Sequence, residues 1–251
     1  MPSPRSEQQT HSAQNLLIAA LPDDERARLD PLLEPLTLNF KDQLYEVGDP
    51  IDYVYFPTRG VASQVALLDG ETAIEVTTIG REGMVGLSAF LGATTSPDRV
   101  FCQVPGRAHR LSTTDLRRHL AVGGPLHEIL NRYTQATLVQ LARSVACNRL
   151  HTVEERMSRW LLLTRDRADE DTFPLTHEFL AQMLGVRRAT VTLSAGMLQN
   201  AGLIRYTRGQ VTIADRQALE RTSCDCYEAI RCEFARLLTD SDLTSPDLDL
   251  T

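Results

Sequence analysis

The sequence predicts an α+β chain: a β-roll, then a long helix, then a small helical domain that ends in a β-hairpin. Three observations carry that reading. Apolar runs broken by turn residues lie between Leu36 and Leu111, helical periodicity runs from Ser112 to Arg167, and two short apolar helices with a sharp turn between them span Thr176 to Leu198. The 251 residues are 42% hydrophobic and 24% charged, ordinary for folded domains, with a net charge of −7. The longest apolar runs, Leu16 to Leu21 and Leu161 to Leu163, fall far short of the ~20 residues that a membrane helix needs, so no membrane partner is expected. No basic start with an apolar stretch and a small-residue cleavage site opens the chain, which reads as cytoplasmic. Cys102, Cys147, Cys224, Cys226 and Cys232 are odd in number and scattered, so reduced thiols are expected rather than a disulfide framework.

Residues 1–14 are polar and patternless and read as a disordered arm. Residues 15–122 are assigned to the β-roll, of jelly-roll type. Turn residues cluster at Gly48-Asp49-Pro50, Pro57 to Gly60, Asp69-Gly70, Gly80 to Gly83, Ser96-Pro97-Asp98 and Pro105-Gly106. Between them Tyr53 to Phe56, Val61 to Leu68, Ala73 to Thr78 and Val100 to Val104 are rich in β-branched and aromatic residues, as strands should be. Ser112, with Asp115 three residues on, opens a helix as its N-cap.

Residues 123–150 form the long helix, with Pro125 suited to its first turn. Leu130, Thr134, Thr137, Leu141, Val145 and Asn148 recur at steps of three and four and make a seam. A seam of this kind packs on its own domain or on a second copy of the chain. The helix runs beyond what a sandwich face needs, which favours a homodimer. A further helix from about Thr152 to Arg167 puts Val153, Met157, Trp160, Leu161 and Thr164 on one face, and Asp169-Glu170-Asp171 with Pro174 end it.

Residues 151–238 hold the most informative segment. Thr176 can cap a helix to about Leu184 with Phe179, Leu180, Met183 and Leu184 as its apolar stripe; Gly185 lets the backbone turn, and Val186 plugs the angle. A second helix starts at Arg187, with Val191, Ala195 and Leu198 facing inward and Arg188, Ala189 and Thr192 outward. This is a helix-turn-helix. Gly202 to Tyr206 and Gln210 to Ile213 read as two strands joined at Thr207-Arg208-Gly209, a wing. From Gly185 through Gln210 the charged side chains are Arg187, Arg188, Arg205 and Arg208, a basic island within an acidic chain. A helical pair in an enzyme subdomain would not need these arginines unopposed. Residues 239–251, with Asp240, Asp242, Asp247 and Asp249, read as an acidic solvated tail.

With these elements in this order, the chain resembles the Crp/Fnr family of bacterial transcription regulators from about Leu36 to Ile213. The likeness rests on a β-roll opened by Tyr45-Glu-Val-Gly48-Asp49, a dimerisation helix and the winged helix-turn-helix. It implies a cyclic-nucleotide-binding-like sensor domain under an effector of unidentified nature. It also implies a homodimer on palindromic double-stranded DNA, RNA polymerase as a partner, and no enzymatic activity. In the family the arginine one residue after the helix start reads guanine, which corresponds to Arg188; Ala189 stands where a glutamate is usual, and Thr192 and Leu193 lie where a further arginine is common. Arg187 is expected to join them in the DNA interface, and Thr176, Thr190, Arg205 and Arg208 are expected there toward phosphates.

The family's cyclic-nucleotide cassette presents Gly-Glu and then Arg-Ser. Here Gly83, Gly86, Leu87 and Ser88, with Arg99 and Val100, occupy that region, so cyclic AMP in the usual mode is not expected. The N-terminal cysteine cluster of the family's oxygen-sensing branch is absent, and no iron–sulfur cluster or metal is expected. On a continuous helix Cys224 and Cys226 would point roughly 200° apart and could not share an ion; Cys226 would instead join Leu219, Ile230, Phe234 and Leu237 on an apolar stripe. No HxH, HxxxH, HExxH, G-x-S-x-G or P-loop pattern occurs. The competing reading is a cupin-like small-molecule-binding protein or enzyme with a C-terminal association domain.

Overall fold

The computed structural model describes residues 14–68 and 72–239. The expected arm, the Asp69-Gly70 turn and the acidic tail lie outside the described residues, save for Gln14 and Thr239 at their edges. The first elements are ones that the sequence did not suggest: α1 (Leu16–Ala19), α2 (Asp23–Leu29) and a 3-10 turn (Asp30–Leu32). Asn15 seats them. Its Oδ1 accepts from the Leu17 and Ile18 amides, and its Nδ2 donates to the Pro57 and Gly83 carbonyls at 2.9 and 2.8 Å. A buried amide satisfied in this way pins the N-terminal turn to the sheet.

The roll is one antiparallel sheet of β1 (Glu34–Leu38), β2 (Gln43–Tyr45), β3 (Tyr53–Leu68), β4 (Thr72–Ile79) and β5 (Arg99–Ser112). Its order is β1-β5-β3-β4, with β2 also on β5. The short helix α3 (Leu87–Phe90) interrupts the run from β4 to β5. Two expected turns are not turns. Pro57 to Gly60 and Pro105-Gly106 lie inside β3 and β5, where the register slips between Pro57 and Arg59 and again between Arg59 and Val61. The reason is a pair of bulges at a close backbone crossing. Gly60 sits at φ +80°, where a Cβ would lie 2.4 Å from the Val104 carbonyl oxygen, and a Cβ at Gly106 would lie 2.1 Å from that of Arg59. Glycine there bends a continuous strand instead of ending it.

Beyond the sheet, α4 (Thr113–Leu120), capped by Ser112 as expected, leads to α5 (Pro125–Leu150). The first turns of α5 bury Leu126, Ile129 and Leu130 in the sensor core with Leu17, Val54, Phe56, Met84 and Leu111. Leu130 therefore belongs to the chain's own core and not to an outward seam. The 26 residues of α5 make a rod about 39 Å long, which carries the chain past the sheet. Next comes α6 (Val153–Ala168), opened by a Thr152–Glu155 capping box. The C-terminal part adds β6 (Thr172–Pro174), α7 (His177–Leu184), α8 (Arg188–Asn200), β7 (Ile204–Thr207), β8 (Gln210–Ile213), α9 (Arg216–Thr222) and α10 (Cys226–Thr239). The acidic loop and Pro174 do end α6, but Thr172 to Pro174 then pair with β8 as a third wing strand.

The two parts share a core. Met157, Trp160, Leu161, Leu180 and Val191 pack in one cluster with Val61, Val65 and Val104 of the sheet. Polar contacts fix the angle between them. Arg167, on α6, donates from Nε to Glu82 at 2.7 Å, from Nη2 to Gln140 of α5 at 2.6 Å and from Nη1 to Thr78 of β4. Trp160 Nε1 donates to Glu75 of β4 at 2.6 Å, and Ser63 Oγ donates to the other carboxylate oxygen at 2.7 Å.

Burial raises the Glu75 pKa to about 7, against the hydrogen bonds from Ser63 and Trp160 and the nearby charges of Arg167 and Arg159. A carboxyl whose folded pKa exceeds its unfolded one favours folding while it holds the proton, and that contribution is lost as pH rises through the folded value. The contribution of Glu75 to urea resistance is therefore expected to fall between pH 5 and pH 8, by up to ~3 kcal/mol, and Glu75→Gln should remove that part of the pH dependence. An unchanged pH profile in the variant would refute the assignment.

Candidate nucleic-acid interface and effector cavity

The helix-turn-helix is organised by its caps. Thr176 Oγ1 accepts from the Phe179 amide at 3.1 Å and starts α7. Gly185, at φ +64°, ends it in the left-handed conformation that a residue with a Cβ resists. Arg187 is the extended N-cap residue of α8, one position before the helix that the sequence began there. Val191, Ala195 and Leu198 are buried as expected, and Ser194 joins them, its Oγ donating to Glu154 of α6 at 2.6 Å. Arg187, Arg188, Ala189 and Thr192 are exposed and Thr190 is half-buried. Leu193 is 71% exposed and Met197 51% exposed on the same face, so the outward side of α8 is basic at its start and apolar along its length.

His177 ties the three parts of this surface together. Its Nδ1 meets Thr192 Oγ1 at 3.0 Å, and its ring lies 4.5 Å from that of Tyr206 on the wing. Burial, then the charge of Arg188, lowers its pKa, so the imidazole is neutral near pH 7. Sequence order hid one contact. Glu178, outside the acid-free segment, reaches Arg188 at 3.8 Å. Both side chains are largely exposed, and such a pair is weak enough to give way to a phosphate or a base edge. The wing turn is tighter than expected. Arg208 at φ +50° and Gly209 at φ +78° form a two-residue turn between the paired Thr207 and Gln210, with the left-handed geometry favoured in hairpins. Arg205 and Arg208 are exposed.

In the β-roll a cavity of about 190 Å³ opens between the sheet and α5. Gly86, Leu87, Ser88 and Val100 line it, as do Tyr45, Thr134, Thr137 and Leu141. Gly83 and Arg99 do not. Gly83 packs on Tyr133, whose Oη would lie 2.5 Å from a Cβ there. Arg99, expected among the effector-pocket residues, instead donates to both Glu46 carboxylate oxygens at 2.9 Å. The lining offers hydroxyls, an amide and apolar surface, with no charged side chain. A cyclic nucleotide phosphate would be desolvated there without a counter-charge.

A third constellation was not legible as such in the sequence. α9 ends at Thr222 and α10 begins at Cys226, so Cys224 and Cys226 are not on one continuous helix, and the expected divergence of their side chains does not occur. The Cys224 and Cys226 thiols converge with those of Cys147 and the ring of His151 at the C-terminal end of α5. The signal that was available is Cys147 and His151 at i, i+4, one face of one helix.

Comparison with known proteins agrees with this geometry. Residues 155–222 match the family model of the Crp-like helix-turn-helix domain. The chain is similar in structure to FixK2 from Bradyrhizobium japonicum, at 16% identity and a TM-score of 0.65 over 76% of this chain and 98% of that one. It is also similar to the c-di-GMP-responsive global regulator CLP from Xanthomonas campestris, at 16% identity and a TM-score of 0.61 over 77% of this chain and all of that one. A third likeness is to a transcriptional regulator of the Crp/Fnr family from Eubacterium rectale, at 16% identity and a TM-score of 0.61 over 82% of this chain and 96% of that one. None of the curated proteins matches the sequence.

Proposed function

From a chain with a Crp-like helix-turn-helix domain in the two-domain fold of the Crp/Fnr regulators, we propose a sequence-specific DNA-binding transcriptional regulator that works as a homodimer on a palindromic site. The observation that carries the reading is the exposed, arginine-led start of α8 beside a wing that exposes Arg205 on a strand and Arg208 in its tight turn. In this reading Arg188 contacts guanine O6 and N7 in the major groove, and exposed Leu193 and Met197 suit thymine methyl groups. Thr176, Arg187, Thr190, Arg205 and Arg208 serve phosphates, which set register and salt dependence. Ala189 and Thr192 leave room between these contacts. Like other regulators of this architecture, the dimer would act by presenting a surface to RNA polymerase, and it performs no catalysis.

Dimerisation is assigned to α5. With Leu130 turned into the sensor core, the stripe left for a partner is Thr134, Leu138, Leu141 and Val145, at steps of four, three and four, and its first three residues also border the sensor cavity. Leu138 is 56% exposed and Val145 72% exposed. Apolar side chains at that spacing on a long helix are what a coiled-coil partner covers; Thr137, whose Oγ1 donates to the Tyr133 carbonyl at 2.9 Å, flanks the stripe. The domain division that follows is a sensor over residues 15–122, a dimer helix over 123–150 and a DNA-binding part over 151–238.

The effector is proposed to be small and largely uncharged, seated against Gly86, Leu87, Ser88 and Val100. Cyclic AMP is not that ligand.

Three outcomes test these assignments. Arg188→Ala is expected to weaken binding to the cognate site by ~1–3 kcal/mol and to relax preference at one base pair per half-site, whereas Arg208→Ala should weaken all sequences alike and make the salt slope shallower. Identical behaviour of the two variants on specific and random DNA would overturn the division. Sedimentation should give a dimer for the wild type and a shift to monomer for Val145→Asp; a monomeric wild type would end the dimer reading. Calorimetry with cyclic AMP should show no binding at micromolar concentration, and a micromolar or tighter dissociation constant would refute the effector assignment.

A further inference from the structure

The cluster at the end of α5 has no part in reading DNA or in the sensor cavity. Its four candidate donor atoms, the thiols of Cys147, Cys224 and Cys226 and one ring nitrogen of His151, all lie within 4.8 Å of one another. Cys147 Sγ is 3.4 Å from Cys224 Sγ, and Cys226 Sγ is 3.8 Å from His151 Nδ1. A tetrahedral zinc ion with Zn–S ~2.3 Å and Zn–N ~2.0–2.1 Å sets neighbouring donors ~3.5–3.8 Å apart. These two distances are close to that spacing, and no pair of the four donors lies further apart than 4.8 Å. The three thiols are no more than 5% exposed and His151 is half-buried, and a set of sulfur and imidazole donors suits zinc and not magnesium or calcium, which take oxygen ligands.

The surroundings match an anionic metal centre. The other ring nitrogen of His151, Nε2, lies 3.5 Å from the Asp225 carboxylate, the arrangement that fixes a ligating imidazole and strengthens it as a donor. Zinc with three thiolates and one neutral imidazole carries a net charge of −1. Arg156 and Arg159, on α6, face the thiols closely enough for the charges to interact. Neither arginine forms an ion pair with a carboxylate among the described residues, and the Nε of each is buried without a hydrogen-bond partner. In an iron–sulfur cluster the ligands are divided among two or more irons and the donor set spreads further apart, so a single ion is the better fit.

We propose that Cys147, His151, Cys224 and Cys226 bind one zinc ion per protomer, which staples the hinge between α5 and α6 to the start of α10. The site is independent of the DNA-binding assignment. Each thiol gives up its proton as the ion binds, so loading releases protons and needs no oxidant.

Metal analysis of the full-length protein, purified under reducing conditions after growth with zinc, is expected to give one zinc per chain. Cobalt exchange should give the thiolate-to-cobalt charge-transfer and tetrahedral ligand-field bands of an S3N site. Cys147→Ser, Cys226→Ser and His151→Ala should lose stoichiometric metal, Cys102→Ala and Cys232→Ser should keep it, and Asp225→Asn should weaken it ~10–100-fold. The proposal is overturned by a wild type that takes up neither zinc nor cobalt on reconstitution, by iron with acid-labile sulfide in their place, by a Cys147–Cys224 disulfide in protein kept from air, or by zinc that the ligand variants retain.

Discussion

One guanidinium sets how the two halves of the chain meet. Arg167 lies 5% exposed at the end of α6. Its partners come from the loop after β4 (Glu82), from β4 itself (Thr78) and from α5 (Gln140), with the Phe234 ring of α10 5.9 Å from the charge. A buried arginine with its hydrogen bonds filled from several directions has one orientation in which it is satisfied. Loss of its carboxylate partner would leave an uncompensated buried charge, at a cost of ~3–5 kcal/mol. The angle between sensor and DNA-binding part is thereby specified by a polar contact inside a shared apolar core, which supplies affinity but little direction.

That contact is mechanically close to the sensor cavity. Thr134, Thr137, Leu138 and Leu141 of α5 form one wall of the cavity, and Gln140, on the same turns, accepts from Arg167 and donates to Thr77. A molecule that fills the cavity presses on the helix that also holds the domain contact and whose outward stripe is assigned to the partner copy. Under the proposed assignments, ligand occupancy, domain angle and dimer geometry would be three readings of the position of one rod.

Local pattern decided what could be read from the sequence. The helix-turn-helix was legible because caps, apolar spacing and Gly185 all act within a few residues, and the inward set Val191, Ala195 and Leu198 lies where periodicity put it. The wing was legible for the same reason, apart from β6, which pairs only because β8 returns beside it. Gly60 and Gly106 misled because glycine serves a turn and a bulge equally well, and only the crossing of the two strands tells them apart. Leu130 fits the helical repeat of the seam, but the sensor core claims it first. The Cys147 and Cys224 thiols are 77 positions apart, and no spacing rule connects them. Arg99 was expected near the effector pocket and does not line the cavity, since Glu46 reaches it from another part of the roll.

The tip of the wing carries a residue that the backbone would not choose. Arg208 holds a left-handed conformation, which for a residue with a Cβ costs roughly 1–2 kcal/mol relative to glycine. Asparagine or glycine would relax the turn and lose the charge. The hairpin thus rests below the stability its own topology permits, a cost that the proposed phosphate contact of Arg208 would offset. Selection for heat resistance alone would drift toward glycine at the tip, whereas selection for affinity to a polyanion would hold the arginine against the strain. The two pressures are separable at this position, because the exposed side chain takes no part in the core.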